Sequence, residues 1–233
     1  TYKIVQNKCN ELIEILKELE ENFLSKDNEK RKELFYEIRS KFNEEKKSLC
    51  YKQITKDSIL HAAHLIFLNR TCFNGLYRLN KSGEFNVPFG RYKKPKICDE
   101  KNLINVSEAL QGVTLVAGEY YDVEKYIEID QDTFVYMDPP YRPLTSSSSF
   151  TSYSKSGFND DNQRELAKWF KKLVKEKKAQ AMLSNSDPND NFFYELYVEG
   201  ENDIFIEKVN ASRSINSKGN KRGKISEIVV LHK

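Results

Sequence analysis

Apolar residues recur at about three- and four-residue steps early in the chain, at Ile4, Cys9, Leu12, Ile13, Leu16, Leu19 and Phe23. This spacing predicts one helix that begins at or before Thr1. Leu34, Phe35, Ile38 and Phe42 predict a second helix, with the charged residues between them on a solvated face. A third is expected over Ser58 to Arg70, with Asp57 placed to cap it and an apolar centre at Ala62, Ala63, Leu65, Ile66, Phe67 and Leu68 that predicts burial. Leu76 to Leu79 and Glu84 to Pro88 flank the turn-forming Asn80-Lys81-Ser82-Gly83, and a short hairpin is expected there.

From Val113 onward the period changes. Short apolar runs at residues 113–117, 133–137, 179–183, 204–206 and 228–231 predict strands. A helix is expected over Asn162 to Lys178, where Leu166, Trp169, Phe170, Leu173 and Val174 share one face and lysines the other. Strands alternating with helices imply an α/β sheet whose functional loops lie at the carboxyl ends of the strands. The expected division is a helical and hairpin lobe over residues 1–110 and the sheet over residues 111–233.

Composition adds bounds. A chain of 233 residues can build one sizeable core with an appended lobe. Its net charge is only +3 but unevenly spread. Arg70, Arg78, Lys81, Arg91, Lys93, Lys94 and Lys96 face a single acid, Glu84, and a second basic stretch holds Lys208, Arg213, Lys218, Lys221, Arg222 and Lys224. Either stretch suits a polyanionic partner, and either suits a solvated surface. Cysteines 9, 50, 72 and 98 show no metal spacing, and His61 and His64 have no carboxylate or thiolate at ligand spacing, so no metal is expected. No secretory leader is visible, which predicts reduced thiols in a cytoplasm. No apolar run reaches the roughly 18 residues a bilayer requires, so no membrane partner is expected.

The string most loaded with chemistry is TFVYMDPPY, residues 133–141, an apolar strand running straight into Asp138, Pro139, Pro140 and Tyr141. Two prolines end the strand and keep the backbone extended, so a carboxylate, a carbonyl and an aromatic ring project from a stiff loop. The exocyclic N6 of adenine is a poor nucleophile because its lone pair is delocalised into the ring. Two acceptors, the Asp138 carboxylate and the Pro139 carbonyl, can take both amino hydrogens and free that pair. Tyr141 can stack on a base that has left its duplex. An ordinary strand-ending turn is the bland alternative.

On these residues the chain resembles the Dam-type DNA adenine N6-methyltransferases, the GATC-modifying group that carries the DPPY motif. A second block, FLNRTCFNGLYRLNKSGEFNVPFGRYKKP at residues 67–95, is similar to that family's target-recognition hairpin. The resemblance implies a Rossmann-like methyltransferase sheet with a target-recognition lobe, S-adenosyl-L-methionine as cofactor and duplex DNA as partner. At system level it allows a cognate restriction endonuclease, in a restriction-modification pair, or a solitary enzyme. It makes Phe73 the aromatic that enters the base stack, Asn74 its neighbour at the site, and Leu76, Arg78 and Pro88 readers of flanking bases. Arginine can bond guanine O6 and N7 together, and apolar side chains can touch a thymine methyl. Arg91, Lys93 and Lys94 are expected on phosphates.

By the same resemblance AGEYYD, residues 117–122, would place Glu119 and Tyr120 on the cofactor's adenine, with Asp138 near the cofactor as well. Phe150, Tyr153 and Phe158 would line the substrate pocket, although core packing explains them equally well. Arg213, Ser214, Asn216 and Lys218 would touch DNA backbone from a closing basic hairpin. The chain departs from the family in one respect. No Gly-rich strand-to-helix turn for the cofactor is found, since SKSG, SKGN and KRG lack that context. Thr1 also falls in mid-pattern. The expectation is a C-terminal remainder of a longer protein, without the central strand and with an incomplete cofactor site. A non-catalytic DNA-binding module is the alternative reading.

Overall fold

A computed structural model describes residues 1–50, 53–144, 158–212 and 224–232. The chain forms two compact units, residues 1–117 and 118–233.

The first unit is helical: α1 (Tyr2–Asn7), α2 (Cys9–Leu24), α3 (Asn28–Ser48), α4 (Lys56–Thr71) and α5 (Glu100–Ala109). The single helix expected at the start is two, because Lys8 leaves helical geometry at φ −141° and ψ 39°. Apolar periodicity runs on through that break, so the pattern alone does not reveal it. Leu12, Leu16, Phe23, Phe35, Ala63, Phe67 and Leu68 are fully buried between α2, α3 and α4. Phe23 meets Phe67 edge-on at 5.6 Å, a preferred aromatic geometry. Helix α4 starts earlier than expected, and its cap is Thr55 rather than Asp57. The Thr55 side chain accepts from the Ser58 N–H while the Ser58 hydroxyl accepts from the Thr55 N–H, so two orphan donors are satisfied together. The histidines on α4 do have a carboxylate after all, supplied by α3: Glu45 lies 3.1 Å from His61 Nδ1 and 3.0 Å from His64 Nδ1. No cluster fit to hold a metal occurs among the described residues.

The expected hairpin is a looser structure, a turn with two isolated bridges, Cys72 to Phe89 and Leu79 to Phe85. Helix α3 supplies what a longer ladder would have. Asn43 bonds both the N–H and the carbonyl of Phe85, at 2.8 and 3.2 Å, while Lys46 reaches the Gly83 carbonyl and Arg39 the Val87 carbonyl. Side chains thus pair the inner edge of the loop, satisfying backbone groups that burial would otherwise leave unpaired.

The second unit bears out the α/β expectation. Strands β1 (Phe134–Met137), β2 (Gln180–Ser186), β3 (Ile204–Ser212) and β4 (Lys224–His232) form one mixed sheet in the order β1-β2-β4-β3. β1 and β2 are parallel, with Met137 opposite Leu183; the other pairs are antiparallel. Helices α6 (Asp160–Lys175) and α7 (Phe192–Tyr197) and a 3-10 helix over Tyr120–Lys125 complete the unit. Leu166, Phe170, Leu173 and Val174 on α6 pack with Ala181, Leu183 and Val230 of the sheet. Asn159 caps α6 through the N–H groups of Asp161 and Asn162, at 3.0 Å each.

The strand expected at residues 113–117 does not form. A strand needs a neighbour's backbone, and among the described residues none pairs with this run; Val113 and Val116 are exposed. No helix of the described residues is long and apolar enough to cross a membrane.

Candidate active site and nucleic-acid interface

The carboxyl end of β1 delivers Asp138, and the parallel register sets the carboxyl end of β2 beside it. There Ser184, Asn185 and Ser186 continue an apolar strand as three buried polar residues. Each acts on the loop that follows β1. Ser184 Oγ donates to Asp138 Oδ1 at 3.0 Å and also meets the Tyr136 hydroxyl at 3.0 Å. Asn185 Oδ1 accepts from the Arg142 N–H at 3.0 Å, and Ser186 Oγ donates to the Arg142 carbonyl at 2.6 Å. From α6, Gln163 donates to the Pro140 carbonyl at 3.0 Å and accepts from Asn185 Nδ2 at 3.2 Å. The buried amides and hydroxyls are therefore paired with one another and with the loop, the condition for burial without large cost.

Asp138 itself is exposed. Among the described residues, no donor engages its Oδ2 or the Pro139 carbonyl. The loop thus presents two unspent acceptors beside a half-buried Tyr141. Burial raises the pKa of the Tyr141 hydroxyl above its ordinary value, and Ser184 offsets part of that rise.

Arg142 closes the loop. Its guanidinium forks onto Asp160 at 2.8 and 3.0 Å, bonds Asp190 at 2.6 Å and lies 4.1 Å from the centre of the Phe192 ring. Two carboxylates and a ring fix a planar cation in orientation as well as position. Its contact holds the Asp160 carboxyl below the ordinary range despite partial burial.

Sequence reasoning missed Ser184, Asn185, Ser186, Gln163 and Arg142. The available signal was a polar triplet ending an apolar strand, and an arginine directly after Tyr141.

Glu119 caps the 3-10 helix, exchanging bonds with Asp122, and Tyr120 packs 5.1 Å from Trp169. Trp169 Nε1 in turn donates to Glu124 at 2.8 Å, which pins this helix to α6. Phe158 is half-buried against the core of this unit. Phe150, Tyr153, Arg213, Ser214, Asn216 and Lys218 lie outside the described residues.

In the helical unit, Phe73, Asn74, Arg78, Pro88, Arg91, Lys93 and Lys94 are exposed and Leu76 is half-buried. A tight turn lifts Phe73: Asn74 and Gly75 both take left-handed φ, 55° and 60°, a region asparagine and glycine tolerate best. Behind it the backbones of residues 71–73 and 88–90 close on each other, with Phe73 N–H to the Pro88 carbonyl and Gly90 N–H to the Thr71 carbonyl, both 2.8 Å. A side chain at Gly90 would put its Cβ 2.5 Å from the Cys72 carbonyl oxygen, so glycine is required there. Arg31 anchors the basic end by donating to the Lys93 carbonyl at 2.9 Å.

Comparison with known proteins shows the family of the chain. The model of the D12 class N6 adenine-specific DNA methyltransferases matches residues 1–215. The chain is 51% identical over 232 residues to the Type II methyltransferase M.MjaIII of Methanocaldococcus jannaschii, covering 99% of this chain and 75% of that protein. It is 42% identical over 174 residues to the Type II methyltransferase M1.LlaDCHI of Lactococcus lactis subsp. cremoris, covering 73% of this chain and 58% of that one. With the DNA adenine methylase of Escherichia coli strain K12 it shares 36% identity over 179 residues, 77% of this chain and 61% of the relative.

Proposed function

Given that the chain belongs to the D12 class N6 adenine-specific DNA methyltransferase family, we propose that it carries the methyl-acceptor and target-reading parts of an enzyme that methylates adenine N6 in duplex DNA, with GATC as the target. The observation that carries this reading is the loop after β1, where, among the described residues, no donor engages Asp138 Oδ2 or the Pro139 carbonyl beside Tyr141. An adenine swung out of the duplex stacks on Tyr141 and gives one amino hydrogen to each acceptor. Both hydrogens are then drawn out of the ring plane, to the side opposite the incoming carbon, which favours a pyramidal nitrogen with an available lone pair. S-adenosylmethionine, when bound, supplies a methyl group on a sulfonium. Glu119 and Tyr120 are the residues that would hold its adenine ring, a carboxylate and an aromatic face side by side. After transfer N6 carries an extra proton, and the Asp138 carboxylate is placed to draw it off.

The recognition half rests on the exposed set around Phe73 and Arg78. Extrusion of a base leaves a gap in the stack that an aromatic such as Phe73 can fill, while Arg78 reads a guanine edge in the major groove. The test uses the full-length protein. Asp138→Ala is expected to abolish methyl transfer while duplex binding stays within about threefold of the parent. Turnover surviving that substitution would refute the acceptor role. Plasmid DNA from cells making the protein is expected to resist a nuclease that adenine methylation blocks at GATC; full cleavage there, with methylation found elsewhere, would reassign the target.

A further inference from the structure

Ser184 has one proton and two lone pairs to place. It sits on β2, buried, with Asp138 Oδ1 and the Tyr136 hydroxyl each 3.0 Å from its oxygen and the Tyr141 hydroxyl also close enough to interact with it. Ser184 Oγ donates that proton to Asp138 Oδ1. The contact with Tyr136 must then run the other way, from the tyrosine hydroxyl to the serine oxygen. A directed chain results, Tyr136 to Ser184 to Asp138, two links on β1 and its loop and one on β2.

We propose that Ser184 is a positioning residue for methyl transfer: its hydroxyl holds Oδ1 of Asp138 and so leaves Oδ2 as the single oxygen that meets the adenine amino group. The inference rests on the acceptor role given to Asp138 above. A carboxylate on an exposed loop can turn about its Cβ–Cγ bond and offer either oxygen over a range of directions. Bonding one oxygen to a buried hydroxyl on the neighbouring strand removes that freedom. Tyr136 contributes by occupying a serine lone pair as donor, which prevents the serine proton from turning toward the tyrosine. Asn185, Ser186 and Gln163 meanwhile hold the backbone of residues 140–142, so the end of β2 and the start of α6 orient the loop while, among the described residues, Ser184 orients the reacting carboxylate. Orientation of this kind acts on the chemical step and leaves base extrusion and DNA affinity untouched.

The experiment is single-turnover methylation by the full-length protein, run with the steady-state KM for duplex and with the fluorescence rise of 2-aminopurine placed at the target, which reports extrusion. Ser184→Ala is expected to slow the single-turnover rate about 10- to 100-fold, the loss of one hydrogen bond to a charged group. KM and the fluorescence rise are expected to stay within about twofold. Ser184→Thr, which keeps the hydroxyl, is expected to recover most of the rate. Tyr136→Phe removes one oxygen from an exposed ring and is expected to cost about 3- to 10-fold, decisive if Ser184→Ala does not fold. The proposal is overturned if Ser184→Ala turns over like the parent, or if Ala and Thr variants lose rate equally while KM rises. In either case Asp138→Ala, run alongside, separates the outcomes: its inactivity leaves the acceptor reading standing, and its activity would remove that reading itself.

Discussion

Arg78, the proposed reader of a guanine, is held by its neighbour Asn86. Its Nε donates to Asn86 Oδ1 at 2.7 Å and one Nη2 hydrogen reaches the Asn86 carbonyl at 3.3 Å. Among the described residues no other partner takes its remaining Nη hydrogens, enough for an end-on pair with guanine O6 and N7. Preorganisation of this kind lowers the entropy lost when the side chain engages a base. Arg78→Ala is therefore expected to relax discrimination at one guanine by about 1 to 3 kcal/mol, read from methylation rates on duplexes substituted at each position. A uniform loss on every duplex would instead make it a phosphate contact. The cysteines supply a contrast in which burial, rather than aim, decides a residue's role. Burial pushes the Cys72 thiol up to about 11, leaving it protonated and unreactive at neutral pH.

At the scale of elements, two polar clips hold strands and helices together. Asp187, buried at the end of β2, takes Lys208 of β3 at 2.8 Å and the Ser226 hydroxyl of β4 at 2.7 Å. Burial alone would raise its carboxyl, but these bonds and the Asn189 N–H outweigh that and keep it below the ordinary range. The second clip joins α3 to α4, where His61 is sandwiched between the Phe42 ring, stacked at 4.3 Å, and Glu45. Burial lowers the His61 pKa from its ordinary 6.5, with Glu45 offsetting only part. The folded state thus binds this proton less readily than the unfolded state. Its contribution to stability is whole above about pH 6.5 and is lost as pH falls from there through the depressed folded value. The unfolding midpoint is accordingly expected to drop between pH 7 and 5, and His61→Phe, which keeps the stack, is expected to flatten that drop in a calorimetric series. An unchanged pH slope in the variant would place the titrating group elsewhere.

For the whole molecule, each unit has its own core, and the two proposed tasks divide between them: an exposed basic loop in residues 1–117, the acceptor loop in residues 118–233. With a net charge of only +3, the molecule has little overall pull on a polyanion. Affinity must come from local clusters. Lys93→Ala with Lys94→Ala is expected to weaken binding alike on all duplexes and to lower the slope of log affinity against log salt by about 2. An unchanged slope in a salt titration would take both lysines off the phosphates.

What the amino-acid sequence determined by itself is local. The amphipathic spacing of α2, α3 and α6, the strand that runs into Asp138-Pro139-Pro140-Tyr141, and the basic block around Arg78 were all legible, because each is a pattern among near neighbours in the chain. Helices α5 and α7 were not foreseen, and the break at Lys8 was hidden by unbroken periodicity. Residues 113–117 read as a strand yet lack one, while β3 and β4 run well past their apolar stretches because each pairs with the other. Tertiary structure alone decided that Ser184 meets Asp138, that Glu45 reaches both histidines, and that Asn43 completes the edge at Phe85. Those contacts join residues 16 to 46 positions apart. A hydrogen bond depends on direction and distance in space, and spacing along the chain carries neither until the parallel register of β1 and β2 and the packing of α3 on α4 exist.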